Sequence, residues 1–371
     1  MKQGWEIKKL GEVCEIQGGS TPKRTESLYW DGGTYPWFTI EDIREQGRII
    51  TDTKQKVTKV AWDKLRVFPK GTVLLCCTAS IGEYAITHIP ITSNQQFNGL
   101  MIKDKSYLSP MYLMHYCATL KEKLSTLSGK ATIDFVSAEK VRQIPIPVPP
   151  REEQERIVAE LDCLSGVIEK KREQLRELDA LAQSIFYTMF GDPNTNSNNL
   201  PIRKFSTLCE NFDSKRKPIT AKDRIEGSIP YYGASGIVDY VEGYIFDGDY
   251  LLVSEDGANL ELRHTPIAFS IKGKTWVNNH AHILKFEHYC TQVFLEYYIN
   301  LLDISDIITG CAQPKLTQAN LNSIDVFDIS IEKQQEFADK IEAIEKQKEL
   351  IKQSITQTET LFNARMAYYF N

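Results

Sequence analysis

The sequence lacks the common motifs that would allow catalysis by this chain alone. Gly129-Lys130 and Gly273-Lys274 have no glycine five residues upstream, as a Walker A phosphate-binding loop requires. No HExxH zinc motif and no GxSxG nucleophile motif occurs. The chain also has no FxGxG-like loop and no NPPY or DPPY tetrapeptide, which are the usual equipment of an amino-methyltransferase. We therefore predict no catalytic centre in this chain.

Two short basic patches could instead contact phosphate groups. They are Lys23-Arg24 and Lys215-Arg216-Lys217. The net charge of −5 argues against strong non-specific binding to a polyanion. Lysine and arginine exceed aspartate and glutamate only in residues 1–150, by 20 to 15, whereas residues 191–330 hold 12 against 18. If the protein binds nucleic acid, we expect a second and more basic subunit to take part.

A long amphipathic helix near the middle of the chain would position such residues. Apolar residues recur at heptad positions a and d from Ile157 to Met189, which is the spacing of a coiled-coil seam. Pro149-Pro150 suits the helix start, because proline lacks the N–H that would be unpaired there, and Gly191 suits the end. About 40 residues at roughly 1.5 Å each give a rod on the order of 60 Å long.

A second helix of the same kind ends the sequence. Residues 331–370 align with the central helix at a constant offset of 180, without a gap from Val136 onward. The offset pairs Gln154 with Gln334 and Ile157 with Phe337. Such self-similarity indicates an internal duplication, and the second helix supplies a partner for the first seam.

The duplication extends back through the parts that precede the helices. Thr34-Tyr35-Pro36-Trp37-Phe38 corresponds to Ser228-Ile229-Pro230-Tyr231-Tyr232, and Asn94-Gln95-Gln96 corresponds to Asn278-Asn279-His280. Strand-like runs bounded by turn residues, followed by helical spacing, predict an α+β module used twice. The predicted segments are a first module at residues 1–148, a spacer helix at 149–191, a second module at 192–330 and a C-terminal spacer helix at 331–371.

Length and composition are those of an ordinary globular protein. A chain of 371 residues can hold two domains with their own cores. We find no signal peptide and no apolar run long enough to cross a membrane, so we expect a cytoplasmic protein. The eight cysteines form no CxxC pair, which favours reduced, buried thiols over a metal site or disulfides.

The whole chain resembles the specificity subunit of type I restriction–modification systems. The resemblance lies in the glycine loop and lead-in to each helix, GKATIDFVSAEKVRQIPIPVPPREEQERIVAELD and, more weakly, GCAQPKLTQANLNSIDVFDISIEKQQEFADKIEAIE. TYPWFTIEDI and PYYGASGI are similar to segments of target-recognition domains in that family. The second copy has Ile324-Asp325-Val326-Phe327-Asp328 in place of a proline-rich lead-in, so the angle at which its helix begins is left open.

The resemblance implies a non-catalytic subunit that recognises DNA. In that family, two target-recognition domains each read one half of a split site, and two long antiparallel helices set the distance between them. Two methyltransferase subunits dock on the helices and bring S-adenosylmethionine, while restriction/translocase subunits bring ATP and Mg. The pseudo-twofold repeat gives a physical reason for two copies of one partner on one chain. No cofactor or metal is expected in this chain itself.

Polar loop residues are the candidate DNA contacts. Asparagine and glutamine match the adenine edge, and lysine and arginine suit guanine or the backbone. The candidates are Lys23, Arg24, Thr78, Ser80, Asn94, Gln95 and Gln96 in the first module and Lys215, Arg216, Lys217, Ser235, Asn259, Asn278, Asn279 and His280 in the second. The predicted inter-helix packing residues are Ile157, Leu161, Leu164, Ile168, Leu175, Leu178, Phe337, Ile341, Ile344, Ile351 and Ile355.

Other interpretations stay open for these residues and for the chain. Asn94 and Asn278 recur at matching places, which is also expected of a turn that both copies need to fold, and each lysine could be a solvated surface charge. Lys130, Gln313 and Lys315 lie in the loops before the helices and could contact DNA or a partner. An enzyme with an unrecognised site and a coiled-coil adaptor without DNA contact are the two alternative functions.

Overall fold

Two 40-residue helices run through the computed structural model, which describes residues 4–128, 135–310 and 313–370. The chain divides into two compact units. Unit 1 comprises Met1–Lys171 with Ser354–Asn371, and unit 2 comprises Arg172–Gln353. Each long helix therefore contributes about half of its length to each unit.

Unit 1 contains a five-stranded, a three-stranded and a two-stranded sheet, in the orders β2-β9-β6-β7-β4, β5-β3-β8 and β1-β10. The strands are β1 Glu6–Lys9, β2 Cys14–Gly18, β3 Tyr35–Phe38, β4 Ile49–Ile50, β5 Gln55–Val57, β6 Val73–Cys76, β7 Tyr84–Thr87, β8 Thr92–Ser93, β9 Phe97–Ile102 and β10 Pro145–Val148. The α-helices of the first module are α1 Leu10–Val13, α2 Ile40–Gln46, α3 Lys59–Trp62, α4 Pro110–Ala118, α5 Lys121–Ser128 and α6 Ala138–Arg142, and the first long helix is α7 Arg151–Phe190.

Unit 2 contains a six-stranded sheet of order β12-β17-β15-β16-β13-β14 and a two-stranded sheet of β11 and β18. The strands are β11 Ile202–Lys204, β12 Cys209–Asn211, β13 Glu226–Gly233, β14 Gly236–Val241, β15 Phe246–Ser254, β16 Ala268–Val277, β17 Ala281–Phe286 and β18 Asp325–Phe327. The α-helices are α8 Asn259–Leu262, α9 Tyr289–Leu301 and α10 Gln318–Ser323, and the second long helix is α11 Ile331–Phe370.

The central strand β6 is buried on both faces, which explains its continuous apolar sequence. Val73 and Leu75 join the core under α4, whereas Leu74 and Cys76 join a separate core that contains Phe38. The first of these cores also takes in Ile157 and Leu161 of α7 and Met366, Tyr369 and Phe370 of α11. The long helices are thus part of the core of unit 1.

Unit 2 repeats this arrangement around β15. Leu251 and Val253 join the core beneath α9, and Tyr250 and Leu252 face the opposite core. An aromatic cluster ties the long helices to this module, because the ring of Phe186 lies 5.7 Å from Phe294 and 5.6 Å from Phe337. Burying each such ring typically contributes about 3–5 kcal/mol, measured by truncation to alanine.

The two lead-ins to the long helices have the same geometry. Strand β10 pairs with β1 and places Ile7 opposite Pro147, while β18 pairs with β11 and places Ile202 opposite Phe327. The amide of Leu10 donates to the carbonyl of Ile144 and that of Phe205 to Ile324, each at 2.9 Å. The second helix is therefore entered through the same antiparallel strand pair as the first, although its lead-in lacks the prolines.

The helices run antiparallel within each unit. In unit 1, Nη2 of Arg365 lies 2.9 Å from Oε2 of Glu160, and Nζ of Lys171 lies 2.7 Å from Oγ of Ser354. The hydrogen bond from Arg365 lowers the pKa of the Glu160 carboxyl. In unit 2, Nζ of Lys348 lies 2.7 Å from Oδ1 of Asp179. The fold is thus α+β with two long antiparallel helices and an internal repeat.

The residues predicted to pack between the helices are all buried or half-buried. Ile157, Leu161, Ile168, Phe337, Ile341 and Ile344 are buried, and Leu164, Leu175, Leu178, Ile351 and Ile355 are half-buried. Lys171 and Ser354 bond to each other among these positions, so the heptad seam includes a polar pair. The four-segment division at 148, 191 and 330 stays a prediction.

The cysteines of the described residues carry free thiols. Seven cysteines lie within the described residues, all of them free and five of them buried. Burial raises the pKa of the Cys14 and Cys77 thiols to about 12. Across the described part of the chain, no helix combines the length and the apolar character that a membrane crossing needs.

Candidate nucleic-acid interface

One end of the large sheet in unit 2 gathers a turn, a strand end and the loop before α10. The amide of Glu255, just past β15, donates to the carbonyl of His280 at 2.9 Å. The amide of Leu316 donates to the carbonyl of Glu255 at 2.8 Å, and Asp256 forms a β-bridge with Lys315. We call Glu255, Asp256, Asn278, Asn279, His280 and Lys315 the second strand-end cluster.

Unit 1 has the same arrangement. The amide of Cys77 donates to the carbonyl of Gln96 at 2.8 Å, and that of Val136 donates to the carbonyl of Cys77 at 2.9 Å. Thr78 and Phe135 form a β-bridge that matches the one between Asp256 and Lys315. The first strand-end cluster is Cys77, Thr78, Asn94, Gln95, Gln96 and Phe135. The frame is repeated, while its side chains differ.

Asn94 and Asn278 both close the turn at the centre of their cluster. Oδ1 of Asn94 accepts from the amide of Gln96 at 3.0 Å, and Oδ1 of Asn278 accepts from the amide of His280 at 2.8 Å. This is the Asx turn that asparagine favours. Folding therefore accounts for the recurrence of both asparagines, and a base contact by either stays a prediction.

The other candidates of the two clusters differ in exposure. Gln95 is exposed and accepts a hydrogen bond from Thr21, while Gln96 is half-buried and accepts from the side-chain amide of Asn94 at 3.0 Å. Thr78 and Ser80 are half-buried on either side of Ala79, whose φ of +54° is unusual for a residue with a side chain.

In unit 2, Asn279 is exposed, and exposed His280 places Nδ1 2.9 Å from the carboxylate of Asp256. Ser235 is exposed in the turn between β13 and β14. The residue before it, Ala234, accepts a hydrogen bond at its carbonyl from Oγ of Ser254 at 2.5 Å. The side chain of Asn259 bonds twice to the backbone of Thr265. Its Nδ2 donates to the carbonyl at 3.0 Å, and its Oδ1 accepts from the amide at 3.1 Å.

Arg24 is held in place by two tryptophans, a contact that the sequence does not indicate. Its guanidinium lies 4.0 Å from the ring centroid of Trp30 and 4.4 Å from that of Trp37. Nη1 donates to Oε1 of Gln55 at 2.8 Å. An exposed arginine fixed by stacking loses less entropy when it forms a bidentate contact. Lys23 beside it is exposed and paired with Glu26 at 3.0 Å.

The second basic patch does not present three equivalent cations. Lys215 is exposed, with Nζ 4.0 Å from the ring centroid of Phe212, and Lys217 is exposed. The side chain of Arg216 is only 13% exposed, and its Nη1 lies 2.7 Å from Oε2 of Glu255 and donates to the carbonyl of Ala281 at 2.7 Å. Arg216 thus points into the module.

Arg216 belongs to a buried charged network beneath the second cluster. Nδ1 of His282 lies 2.6 Å from Oδ2 of Asp213, and its Nε2 lies 2.9 Å from the carbonyl of Leu316. Burial is the largest single influence on the pKa of the Asp213 carboxyl and would raise it. The hydrogen bonds from His282 and the amide of Ile283, together with the positive charge nearby, outweigh burial, so the pKa is lowered. The pKa of Glu255 is lowered in the same way, since the bond from Arg216 adds to other positive charge and outweighs burial.

The structure joins most of the candidates of unit 2 into one region and most of those of unit 1 into two neighbouring groups. In unit 2 the network links the 213–217 segment to the 278–280 turn. In unit 1 Thr78 lies with the 94–96 turn, and Thr21 connects that turn to the segment of Lys23 and Arg24. The sequence predicts three further candidates in the loops before the long helices. Gln313 is exposed, and Nζ of Lys315 lies 3.2 Å from Oε1 of Glu255. Lys130 lies outside the described residues.

Comparisons with known proteins agree with this architecture. A family model described as the type I restriction modification DNA specificity domain matches residues 2–179 and 202–360. The EcoprrI specificity subunit of Escherichia coli is 29% identical over 346 residues, covering 88% of this chain and 84% of that protein. The MjaIX specificity subunit of Methanocaldococcus jannaschii is 35% identical over 191 residues, covering 51% of this chain and 44% of that protein.

Two solved structures share the fold over the whole chain. The first comes from work on the complex assembly and conformational transition of the type I R-M system. It has a TM-score of 0.61 at 16% identity, and the match covers 100% of this chain and 98% of that one. The S subunit from M. genitalium has a TM-score of 0.58 at 14% identity, covering 99% and 96%.

Proposed function

This chain belongs to the type I restriction modification DNA specificity family, and we propose that it selects a bipartite DNA site by reading one half with each module. It is a specificity subunit, the non-catalytic component of a restriction–modification complex. Such a complex contains partner subunits and binds DNA. The coiled-coil adaptor without DNA contact is the less favoured alternative, because a DNA specificity domain matches both halves of the chain.

The repeated frame with unlike side chains carries this proposal. Matching positions of the two strand-end clusters hold Thr78 and Asp256, Phe135 and Lys315, and Gln96 and His280. Base edges differ in their donors, acceptors and methyl groups, so unlike side chains on one frame suit two unlike half-sites. The exposed candidates at the clusters would then contact bases, and Lys23, Lys215 and Lys217 would contact phosphates.

The long helices would set the spacing of the half-sites and carry two copies of a methyltransferase subunit. Leu181 and Leu361, which are 180 residues apart, are 48% and 49% exposed. Ile7 and Ile202, which occupy the same place on β1 and β11, are 52% and 54% exposed. Equivalent apolar side chains left exposed in both units suit two copies of one partner. S-adenosylmethionine would bind to that partner, and ATP and Mg to a restriction subunit.

Duplex binding with and without the methyltransferase partner tests this function. We expect the chain alone to bind DNA weakly, because its net charge is −5. With the partner, the affinity for a duplex that carries the site should exceed that for a scrambled duplex by about 10³ or more at fixed salt. Equal affinity for both duplexes in the complex would contradict site selection. Methylation or cleavage by the chain alone would instead establish the enzyme alternative.

A further inference from the structure

The charged network of unit 2 lies behind the second strand-end cluster rather than on the surface. His282 is 1% exposed, and the side chains of Asp213 and Glu255 are 9% and 14% exposed. Each member bonds to at least one of the others. Nε2 of His282 also bonds to the carbonyl of Leu316, and Nη1 of Arg216 to the carbonyl of Ala281, both within this unit. Network residues that are this buried can affect DNA only through the segments they hold.

Four separate segments meet at this network. Asp213 and Arg216 fix the segment that carries Lys215 and Lys217. The amide of Ile283 donates to Oδ1 of Asp213 at 2.9 Å, and Arg216 donates to the carbonyl of Ala281. These two bonds hold β17, the strand that follows the 278–280 turn. Glu255 marks the end of β15 and contacts Lys315, and His282 reaches the carbonyl of Leu316. Most of the second module's candidate DNA contacts lie on these segments.

Unit 1 has a smaller, uncharged pair at the matching place. Nδ2 of Asn98 lies 3.0 Å from Sγ of Cys77, and these two residues correspond to His282 and Glu255 through the equivalent backbone bonds of the clusters. A single hydrogen bond between two side chains constrains fewer segments than a network in which four side chains join segments through several bonds. Among the residues that the structure describes, the charged network occurs at this place only in the second module, so the shared frame does not require it.

A bound cation is not needed to explain the network. Asp213, Glu255 and His282 do offer ligand atoms within 4.8 Å of one another. However, Nη1 of Arg216 lies 2.7 Å from Glu255, its Nη2 lies 3.5 Å from Asp213, and Nζ of Lys315 lies 3.2 Å from Glu255. These positive groups already balance the two carboxylates.

We propose that Asp213, Arg216, Glu255 and His282 form a positioning network that fixes four segments of the second module in the one arrangement that reads the second half-site. This inference rests on the proposed function. Without the network, the surface residues would still be present, but they would have to be ordered when DNA binds. That ordering cost would fall on the cognate second half-site and leave the first half-site unchanged.

His282→Asn in the assembled complex is the variant that tests this, because asparagine stands at the matching place in unit 1. Discrimination is measured for each half-site as the ratio of Kd for a mismatched duplex to Kd for the cognate duplex. We expect discrimination at the second half-site to fall about tenfold or more, within the range that one lost base-pair contact spans. Discrimination at the first half-site and the methylation rate at saturating DNA should not change, while KM for DNA should rise.

Two further variants separate positioning from a general loss of folding. Glu255→Gln keeps the shape of the side chain but removes its charge, and it should reproduce the effect of His282→Asn. His115→Asn is the matched control, since His115 is a buried histidine 2.8 Å from Asp162 in unit 1, and it should leave second-half discrimination unchanged.

Each result decides a different question. If the wild-type complex does not discriminate at either half-site, the proposed function itself fails. If the wild type discriminates and both network variants keep full discrimination, only the positioning network is overturned. Equal loss at both half-sites, or discrimination that disappears when EDTA is added, would also overturn it, because positioning by a cation-free network predicts neither.

Discussion

Replacing residues 202–327 with residues 7–147 should change the methylated site into two inverted copies of the first half-site. The exchange joins the chain at positions that the structure makes equivalent, since Ile7 lies opposite Pro147 and Ile202 lies opposite Phe327 in the same antiparallel register. The long helices and their antiparallel packing stay untouched. A chain with the same module at both places would carry two identical reading surfaces, so it should read a symmetric site.

The affinity of this chimera for the original asymmetric site should fall by about 10³ or more, toward the non-specific level. Mapping methylated adenines in cells that carry the chimera in place of the natural chain measures both effects. Ile202→Val, a conservative change of the exposed residue at the junction, is the control and should keep the natural site. A chimera that still methylates the natural asymmetric site would show that the second module does not read the second half.

Deleting one heptad from each long helix should shorten the spacing between half-sites that the complex accepts, or abolish specific binding. Residues 168–174 and 351–357 are suitable, because Lys171 and Ser354 of these segments bond to each other and seven residues preserve the seam. Seven residues span about 10 Å of helix, which corresponds to about three base pairs of B-DNA. The accepted spacing should decrease by about that amount, and a site with the natural spacing should lose most of its specific affinity.

Competition between duplexes that differ only in spacer length measures this effect. Alanine at Glu169, Lys170 and Gln353, which are exposed in the same segments, keeps the helix length and should leave the preferred spacing unchanged. If the shortened chain bound the natural spacing as tightly as before, the helices would not set the distance between the half-sites.

The helices and the repeat could be predicted because their signals are local and periodic. The heptad spacing, Pro149-Pro150 and Gly191 place the first helix within about two residues of Arg151–Phe190. The constant offset of 180 extends this to the second helix, and it also pairs the capping residues Ser137 and Thr317, each of which accepts a hydrogen bond at the start of a short helix. The offset is constant over this stretch because both copies have the same strand pair and the same cap there.

The network and the aromatic contacts could not be predicted because their members are distant in sequence. Asp213 and His282 are 69 residues apart and meet only through the pairing of β12 with β17. Arg216 shares a basic triplet with two exposed lysines, so nothing in the sequence indicates that it alone points inward. Likewise Arg24 lies in the loop between β2 and β3 and Trp37 lies in β3, and only the folded chain stacks them.

The most direct test of the central claim is a map of methylated adenines in the source cell with this gene, without it and with it restored. Two unlike modules held by two helices predict one bipartite motif, with two different half-sites separated by a fixed number of unspecified base pairs. This motif should disappear when the gene is removed and return when it is restored. A continuous motif, a symmetric motif, or a motif unaffected by loss of the gene would contradict the account.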